Sequence, residues 1–472
     1  MNKKCQVFTP SDKVVELLDR VGYVKDLYGK KVIENACGNG NILKVIVDRY
    51  IRDSLSANIP IQSIKLGLES DIYGAEIDKE HYIKCIENLD LVANKYDIHN
   101  VSWKILNVDI LKERLQGKFD YVIGNPPYIT YRDLDNQTRK FVKENYEVCA
   151  KGKFDYCYAF IEASIKCLNN NGKLAYLIPS SIFKNVFAQR LRDYMLKYLC
   201  KIYDYKTKRV FKNVVTSSAI IILDKGNESD EITYSDIAQK VSWKIKKFNL
   251  TGKWVFKRKV DNKTSKKARF DDYFSASMSI ATLLNEAFII SEFEEFDQYI
   301  ITNKYIIEKE VLRVAASPRN LAYNKKQWII YPYYYNENNL NRYTEEEFIR
   351  KFPNAAKYLR TYYEKLINRK AEKNVRWYEY GRGQAILHLN QPKLLISTVI
   401  TNNIKVYHLE KDCIPYAGIY ITAKGRLPIS EAKKILESKD FFDYAKEISI
   451  NTIGNSMRIS PKDINNFLFS IK

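Results

Sequence analysis

FDYVIGNPPY, residues Phe119 to Tyr128, decides how this 472-residue chain is read. Its first six residues form an apolar run of strand length. Two successive prolines follow; they offer no N–H and hold φ near −65°. The strand must therefore end in a stiff, projecting corner. Asn125 and Pro126 place an amide oxygen and a backbone carbonyl there as two fixed acceptors. A planar exocyclic –NH2, such as that of adenine, offers two donors to match. Hydrogen bonds from both N–H groups favour a pyramidal nitrogen with a localised lone pair, able to attack a sulfonium methyl in line. Preorganised acceptors also stabilise the positive charge that develops on that nitrogen. Tyr128 adds a ring on which a base can stack.

Working towards the N-terminus, short apolar runs alternate with helical ones. KKVIE (30–34), DIYGAEID (71–78) and VSWKILN (101–107) read as strands, and NILKVIVDRY (41–50) and about 79–95 as helices. In the other direction come a helix near 155–169, the strand GKLAYLI (172–178) and a helix near 187–199. The strands KIYDYK (201–206) and SSAIIIL (217–223) close the series, with an antiparallel arrangement open to this last pair. Such alternation predicts an α/β domain, a mainly parallel sheet with helices on both faces. Ligands of such sheets bind beyond the carboxyl ends of the strands. Three features fall there. ENACGNGN (34–41) brings Gly38 and Gly40, where a backbone can turn tightly and approach a ligand. Glu76 ends the second strand and can accept from ribose hydroxyls; Asp109 ends the third and can reach an adenine amino group. The chain has neither GxxxxGK[ST] nor GxGxxG, since position 43 is Leu, so a nucleoside without a pyrophosphate fits best.

The polar stretch DKGNESDE (224–231) predicts a boundary, giving domains 1–232 and 233–472. The second half is rich in Tyr, Asn and Lys and reads as mixed α+β. Helices are expected at 345–352 and 355–370, and strands at 393–400 and 417–423. The net charge is +21, with 36 Lys and Arg against 29 Asp and Glu in residues 1–230, and 41 against 27 in the remainder. That excess suits a polyanion, nucleic acid above all. Eight cysteines are scattered with no CxxC pair, so no metal site is expected. No apolar run approaches a membrane span and MNKKCQVFTPSDK has no signal-peptide core, which predicts a cytoplasmic protein with no membrane partner.

With these motifs in this order, the chain resembles the γ-class amino-methyltransferases of DNA, the TaqI-like N6-adenine family with NPPY and a C-terminal target-recognition domain. The resemblance implies a Rossmann-like S-adenosylmethionine-dependent methyltransferase sheet and a C-terminal mixed α+β DNA-recognition domain. It rests on Phe8-Thr9-Pro10, on the acidic-x-Ala-Cys loop from Glu34 to Gly40, on Glu76-Ile77-Asp78, on Asn107-Val108-Asp109, on KGKFDYCYAF (151–160) and on RVFKNVVTSSAIIIL (209–223). By it, S-adenosyl-L-methionine is bound by Thr9, Glu34, Ala36, Gly38, Gly40, Glu76, Ile77, Asp109, Ile110, Asn125 and Phe160. Asn125, Pro126 and Tyr128 are implied as catalytic, and Tyr128 and Phe211 as the rings that hold a flipped adenine. The sequence departs from the family where Glu34-Asn35 replaces Asp-Pro, and residues 51–70 make a longer connection than needed.

Double-stranded DNA is then the partner, gripped by Lys257, Arg258, Lys266, Lys267, Arg376, Arg382 and Gln384. Arg and Gln are types that read base edges in the major groove. NPPY also occurs in enzymes that methylate protein glutamine, and similar motifs in RNA methyltransferases, so an RNA or protein substrate is the alternative. A cytosine-C5 mechanism needs Pro-Cys, which is absent. The motifs begin near residue 8 and no nuclease motif follows. The expectation is a monomeric enzyme that only methylates, solitary or paired with a cognate restriction endonuclease.

Overall fold

The computed structural model describes residues 9–113, 115–206, 208, 210–211, 217–257, 267–336, 339–451 and 456–470. It divides into two compact units, Met1–Asp261 and Asn262–Lys472.

The first unit is built on a nine-stranded sheet. In chain order the strands are β1 (Val32–Glu34), β2 (Ile72–Ala75), β3 (Lys104–Leu106), β4 (Phe119–Gly124), β5 (Leu168–Pro179), β6 (Leu199–Asp204), β7 (Ser218–Asp224), β8 (Glu231–Asp236) and β9 (Val241–Lys246). Their spatial order is β3-β2-β1-β4-β5-β7-β6-β8-β9. The pairs β3/β2, β2/β1, β1/β4 and β4/β5 are parallel, and β7 runs antiparallel to both β5 and β6. From β1 the chain steps outward to β2 and β3, then returns to lay β4 on the other side of β1. This reversal is a topological switch point, where loops diverge and leave a crevice.

Side chains of successive strand residues point to opposite faces. Leu174, Tyr176 and Ile178 of β5 join one apolar core, whereas Ala175 and Leu177 join the other. The first core includes residues of the helices α5 (Asn136–Asn145), α6 (Cys157–Cys167) and α7 (Gln189–Leu196). The second draws on α1 (Ser11–Val21), α2 (Asn41–Ser56), α3 (Ile61–Asp71) and α4 (Lys79–Asn94). The expected α/β sheet with helices on both faces is thus present. The long connection at 51–70 completes α2 and forms α3, whose Gly67 packs so closely that a Cβ there would lie 2.2 Å from the Tyr50 hydroxyl.

The expected boundary at 232/233 falls inside β8. DKGNESDE is instead a turn that sends the chain back into the same sheet, with β8 parallel to β6 and β9 antiparallel to β8. A polar turn has the same composition whether it joins two strands or two domains, which is why the sequence misplaced it. The correction redistributes the charge. The first unit holds 44 Lys and Arg against 32 Asp and Glu, and the second 33 against 24. The basic excess is therefore shared rather than concentrated in the second half.

The second unit is mixed α+β, as expected. One four-stranded sheet has the order 274–278, 419–423, 393–396, 407–409, and another 289–290, 328–330, 312–316, 413–415. The helix at 345–352 is found as Glu345–Lys351. The one expected at 355–370 is two, Pro353–Arg360 and Tyr363–Ile367, and the Thr361 hydroxyl donates to the Tyr358 carbonyl between them at 2.7 Å. Such a local side-chain bond competes with helix continuation. The strand expected at 393–400 also breaks, into Lys393–Ile396 and Val399–Ile400 of different sheets. Among the described residues no helix is long and apolar enough to cross a membrane.

A candidate cofactor and substrate site at the strand ends

Loops leaving β1, β2, β3 and β4 enclose a cavity of about 420 Å³. It is lined by Thr9, Glu34, Ala36, Gly38, Glu76, Ile77, Asp109, Ile110, Asn125, Pro126, Tyr128 and Phe160, among others. Twelve of the residues singled out from sequence thus meet in one place, although they span more than 150 positions of chain.

The glycine loop is held by Glu76. One carboxylate oxygen accepts from the Gly38 amide and the other from the Asp78 amide, both at 2.9 Å. Gly38 has φ of 51°, a region that disfavours a side chain. The Asn107 amide donates to the carbonyls of Glu76 and Ile77 at 2.8 and 3.2 Å, tying the loop after β3 to the loop after β2. Asp109 accepts from the Leu111 amide at 3.2 Å and so caps the short turn that presents Ile110. Glu76 and Asp109 therefore already serve the loops they stand on, and each carboxylate oxygen can still accept from a ligand.

Glu34 differs. It is 3% exposed, and one of its carboxylate oxygens is buried without a hydrogen-bond partner. Burial pushes its carboxyl well above the usual range, helped by Cys85 and Glu76 nearby and opposed by the Leu43 amide. A buried carboxyl with a spare oxygen on a cavity wall suits a ligand that brings a donor or a positive charge. Its neighbour Asn35 donates to the Ser164 hydroxyl at 2.8 Å, and Ser164 is bonded in turn to Tyr176 at 2.6 Å. The departure from Asp-Pro thus ties this loop to α6 and β5 behind the cavity.

The corner at 125–128 is equally anchored. The Asn125 side-chain amide donates to the Thr9 hydroxyl at 3.2 Å, and the Tyr128 hydroxyl donates to the Leu177 carbonyl of β5 at 2.7 Å. Tyr128 is half-buried, packed beside both cores while lining the cavity. Its ring is a fixed wall. The next turn is secured where the Tyr156 amide donates to the Ile129 carbonyl at 2.8 Å.

Two of the expected residues lie off this cavity. Gly40 is not among the lining residues. It starts α2 at φ of 77°, and a Cβ there would lie 2.7 Å from Cys85 Sγ, so its smallness serves packing. Phe211 is 4% exposed in the core with Tyr205 and Val210 and does not line the cavity. A lone aromatic in an apolar segment is as often core as contact, and here it is core. Sequence reasoning missed Tyr156, which lines the cavity and meets Phe160 edge-on at 5.3 Å between ring centroids. The signal was its place four residues before Phe160 at the start of α6. It also missed His81, a lining residue bonded to Asn39.

Residues 50–211 match the family described as Eco57I restriction-modification methylase. The matched stretch lies within the first unit. The chain is 25% identical over 331 residues to the type II restriction enzyme and methyltransferase RM.Eco57I of Escherichia coli, covering 61% of this chain and 33% of that one. It is 27% identical over 233 residues to the modification methylase CviBIII of Paramecium bursaria Chlorella virus NC1A, covering 48% and 52%. This chain thus spans between a third and about half of the length of these curated relatives. Among solved structures, the type IIL restriction-modification enzyme MmeI, determined in complex with DNA, has a TM-score of 0.63 at 14% identity, over 97% of this chain and 65% of that one. That is a likeness of fold.

Of the basic residues expected to meet DNA, Arg258 and Lys266 lie outside the described residues. Lys257 is exposed and belongs to the first unit rather than the second. Lys267 is exposed on the strand Lys267–Arg269, paired with Leu468–Ser470. Arg376 is committed internally: its guanidinium donates to the Tyr343 carbonyl at 2.5 Å and meets the buried Glu379 at 3.5 Å. Arg382 and Gln384 are exposed on the same segment. Arg369, not singled out from sequence, donates to the carbonyls of Thr282, Trp377 and Glu379 and so fixes the base of that loop.

Proposed function

We propose that this protein transfers the methyl group of S-adenosyl-L-methionine to the N6 amino group of an adenine flipped out of double-stranded DNA, at a specific sequence, as the modification component of a restriction-modification system. The carrying observation is that Asn125–Tyr128 opens into the same cavity as the loops after β1, β2 and β3. A corner that accepts from an –NH2 and a pocket suited to a nucleoside thereby share one space.

The residues present fit that cofactor. Glu34 offers a buried oxygen to a cationic or hydroxyl group, Glu76 and Asp109 offer carboxylates for polar edges, and Ile77, Ile110 and Phe160 offer apolar surface for an adenine ring. When bound, S-adenosylmethionine supplies an electrophilic sulfonium methyl. The chain does the rest by position. Asn125 and Pro126 accept from the substrate amino group, hold its lone pair in one direction and offset the charge that builds on nitrogen. Tyr128, stiffened by its bond to Leu177, stacks on the base. A duplex hides that amino group, so flipping precedes transfer. The second unit supplies recognition, with Lys267, Arg382 and Gln384 exposed for it, and Lys257 is an exposed cation of the first unit. Action as a monomer in the cytoplasm or nucleoid, beside an endonuclease of the same specificity, belongs to the same reading.

Unmethylated phage DNA incubated with the protein and tritiated S-adenosylmethionine tests it. Label should appear as N6-methyladenine, and single-molecule sequencing should place it in one motif. Asn125→Ala should retain cofactor binding and lose roughly 100-fold or more in transfer, the scale of one preorganised polar contact. Label in RNA or protein instead of DNA, or an undiminished Asn125→Ala, overturns the proposal.

A further inference from the structure

The loop after β5 carries an unusual tip. Val186 is 64% exposed and Phe187 43%, adjacent apolar side chains turned to solvent. The loop beneath them is not loose. Arg192 of α7, only 1% exposed, donates to the carbonyls of Ile182 and Asn185 at 2.7 and 2.8 Å and to that of Gly252 at 2.8 Å. The Asn185 side chain accepts from the Phe187 amide at 3.0 Å. A buried arginine and an Asn turn thus hold two apolar side chains outward, an arrangement that burial of apolar surface would oppose were nothing to cover them.

Its place in the fold matters. β4 and β5 are parallel neighbours, so the chain leaves them at one edge of the sheet, β4 into the Asn125–Tyr128 corner and β5 into this loop. Phe187 lies against Gly152, where a Cβ would come within 2.6 Å of its ring. Four residues on from Gly152, Tyr156 lines the cavity and is bonded to Ile129 of its wall. The tip therefore leaves the sheet at the same end as the candidate site and packs on a segment that leads into its wall. Exposed cations lie on the same segments. Lys151 and Lys153 of segment 148–154 and Arg190 of segment 180–192 are exposed, whereas Arg192 is buried beneath the loop and Glu147, Asp155 and Asp193 border the two segments. An exposed apolar point on a loop that, with the segment it packs against, presents Lys151, Lys153 and Arg190 to solvent complements a partner with phosphates outside and stacked apolar faces within, which is duplex DNA.

We propose that Val186 and Phe187 form a wedge that enters the duplex beside the target base and occupies the stack room left when that base turns into the cavity. This rests on the reading of the protein as a base-flipping methyltransferase and adds the element that compensates for unstacking. Unstacking raises the barrier to reaching a paired base and much less so for one already mispaired. The wedge therefore matters for paired substrates and little for mispaired ones.

The test uses the full chain, S-adenosylmethionine and two oligonucleotide duplexes bearing the methylated motif, one fully paired and one with the target adenine mispaired. Val186→Ser combined with Phe187→Ser should lower kcat/KM on the paired duplex roughly tenfold to a hundredfold, the range that loss of base–aromatic stacking gives. On the mispaired duplex it should stay within about threefold of wild type. Phe187→Trp should restore most of the loss. Unchanged thermal unfolding and cofactor affinity establish that the variant is folded. Equal rates of variant and wild type on the paired duplex, or an equal loss on both duplexes, overturn the wedge while leaving the methyltransferase reading intact. A wild-type protein that methylates neither duplex overturns that reading itself.

Discussion

Replacing Glu34 by Gln isolates the most unusual group in the cavity. The carboxyl is 3% exposed, one oxygen lacks a partner, and burial holds its proton on well above the usual carboxylate range. Between the unfolded value near 4.5 and that raised folded value, the folded protein keeps a proton that the unfolded chain has lost. Stability of the free protein should therefore fall as pH rises through this window and level off above it. Gln cannot ionise, so the variant should lose this slope and be at least as stable as wild type at pH 8. Cofactor binding should go the other way. A cationic group entering beside Glu34 favours the ionised form and expels its proton, creating a charge-assisted hydrogen bond of about 1.5–3 kcal/mol. Gln offers only a neutral acceptor, so affinity should weaken roughly tenfold to a hundredfold. Titration calorimetry with S-adenosylmethionine in buffers of different ionisation enthalpy reads both effects, showing proton release on binding to wild type and none with the variant. Unchanged affinity and undiminished proton release in Glu34→Gln would refute the reasoning.

Three further outcomes follow from the packing. Gly40→Ala should destabilise the first unit by about 1–3 kcal/mol, since it adds a Cβ at positive φ within 2.7 Å of Cys85 Sγ; thermal unfolding measures it, and an unaltered Tm would show that this glycine is not needed for space. Tyr128→Phe removes the bond to Leu177 but keeps the ring, so it should cost about 1 kcal/mol of stability and leave the methylation rate within a few-fold, whereas Tyr128→Ala should weaken capture of the base; 2-aminopurine fluorescence at the target separates the two. Arg382→Ala should leave folding intact and weaken DNA binding with a salt slope lower by about one, while Arg376→Ala should lower the stability of the second unit; filter binding across salt concentrations and thermal melts check the pair.

The first seven strands and the helices α2, α4, α6 and α7 were legible because each strand from β1 to β7 has an apolar run bounded by turn residues and those helices repeat at helical spacing, whereas α1, α3 and α5 were not expected. The loops that line the cavity were legible because strand ends in such a sheet converge whatever their distance in sequence. What escaped had no local signature. β8 and β9 extend a sheet whose last expected strand is β7, and a polar turn cannot announce which side of a domain boundary it lies on. Phe211 and Gly40 belong to segments of the right type, yet whether a side chain faces a cavity or a core depends on neighbours from distant elements. Glu76 shows the opposite case. Its position was right, but its hold on Gly38 and Asp78 is visible only once two loops are placed side by side.

On the proposed function, the moved boundary also changes how DNA would be met. A basic second half suggests a division of labour, with one unit binding and the other catalysing. With the division at 261/262, the first unit carries an excess of twelve positive charges and the second nine. Phosphate contacts set affinity and register but carry no sequence information directly, whereas base edges supply it. The first unit's share suits the former, through exposed cations such as Lys151, Lys153 and Arg190. The exposed Arg382 and Gln384, on a loop whose base Arg369 fixes, suit the latter. Substituting Lys151 and Lys153 should then weaken binding to all sequences alike, and substituting Gln384 should relax the choice of sequence while leaving non-specific affinity unchanged.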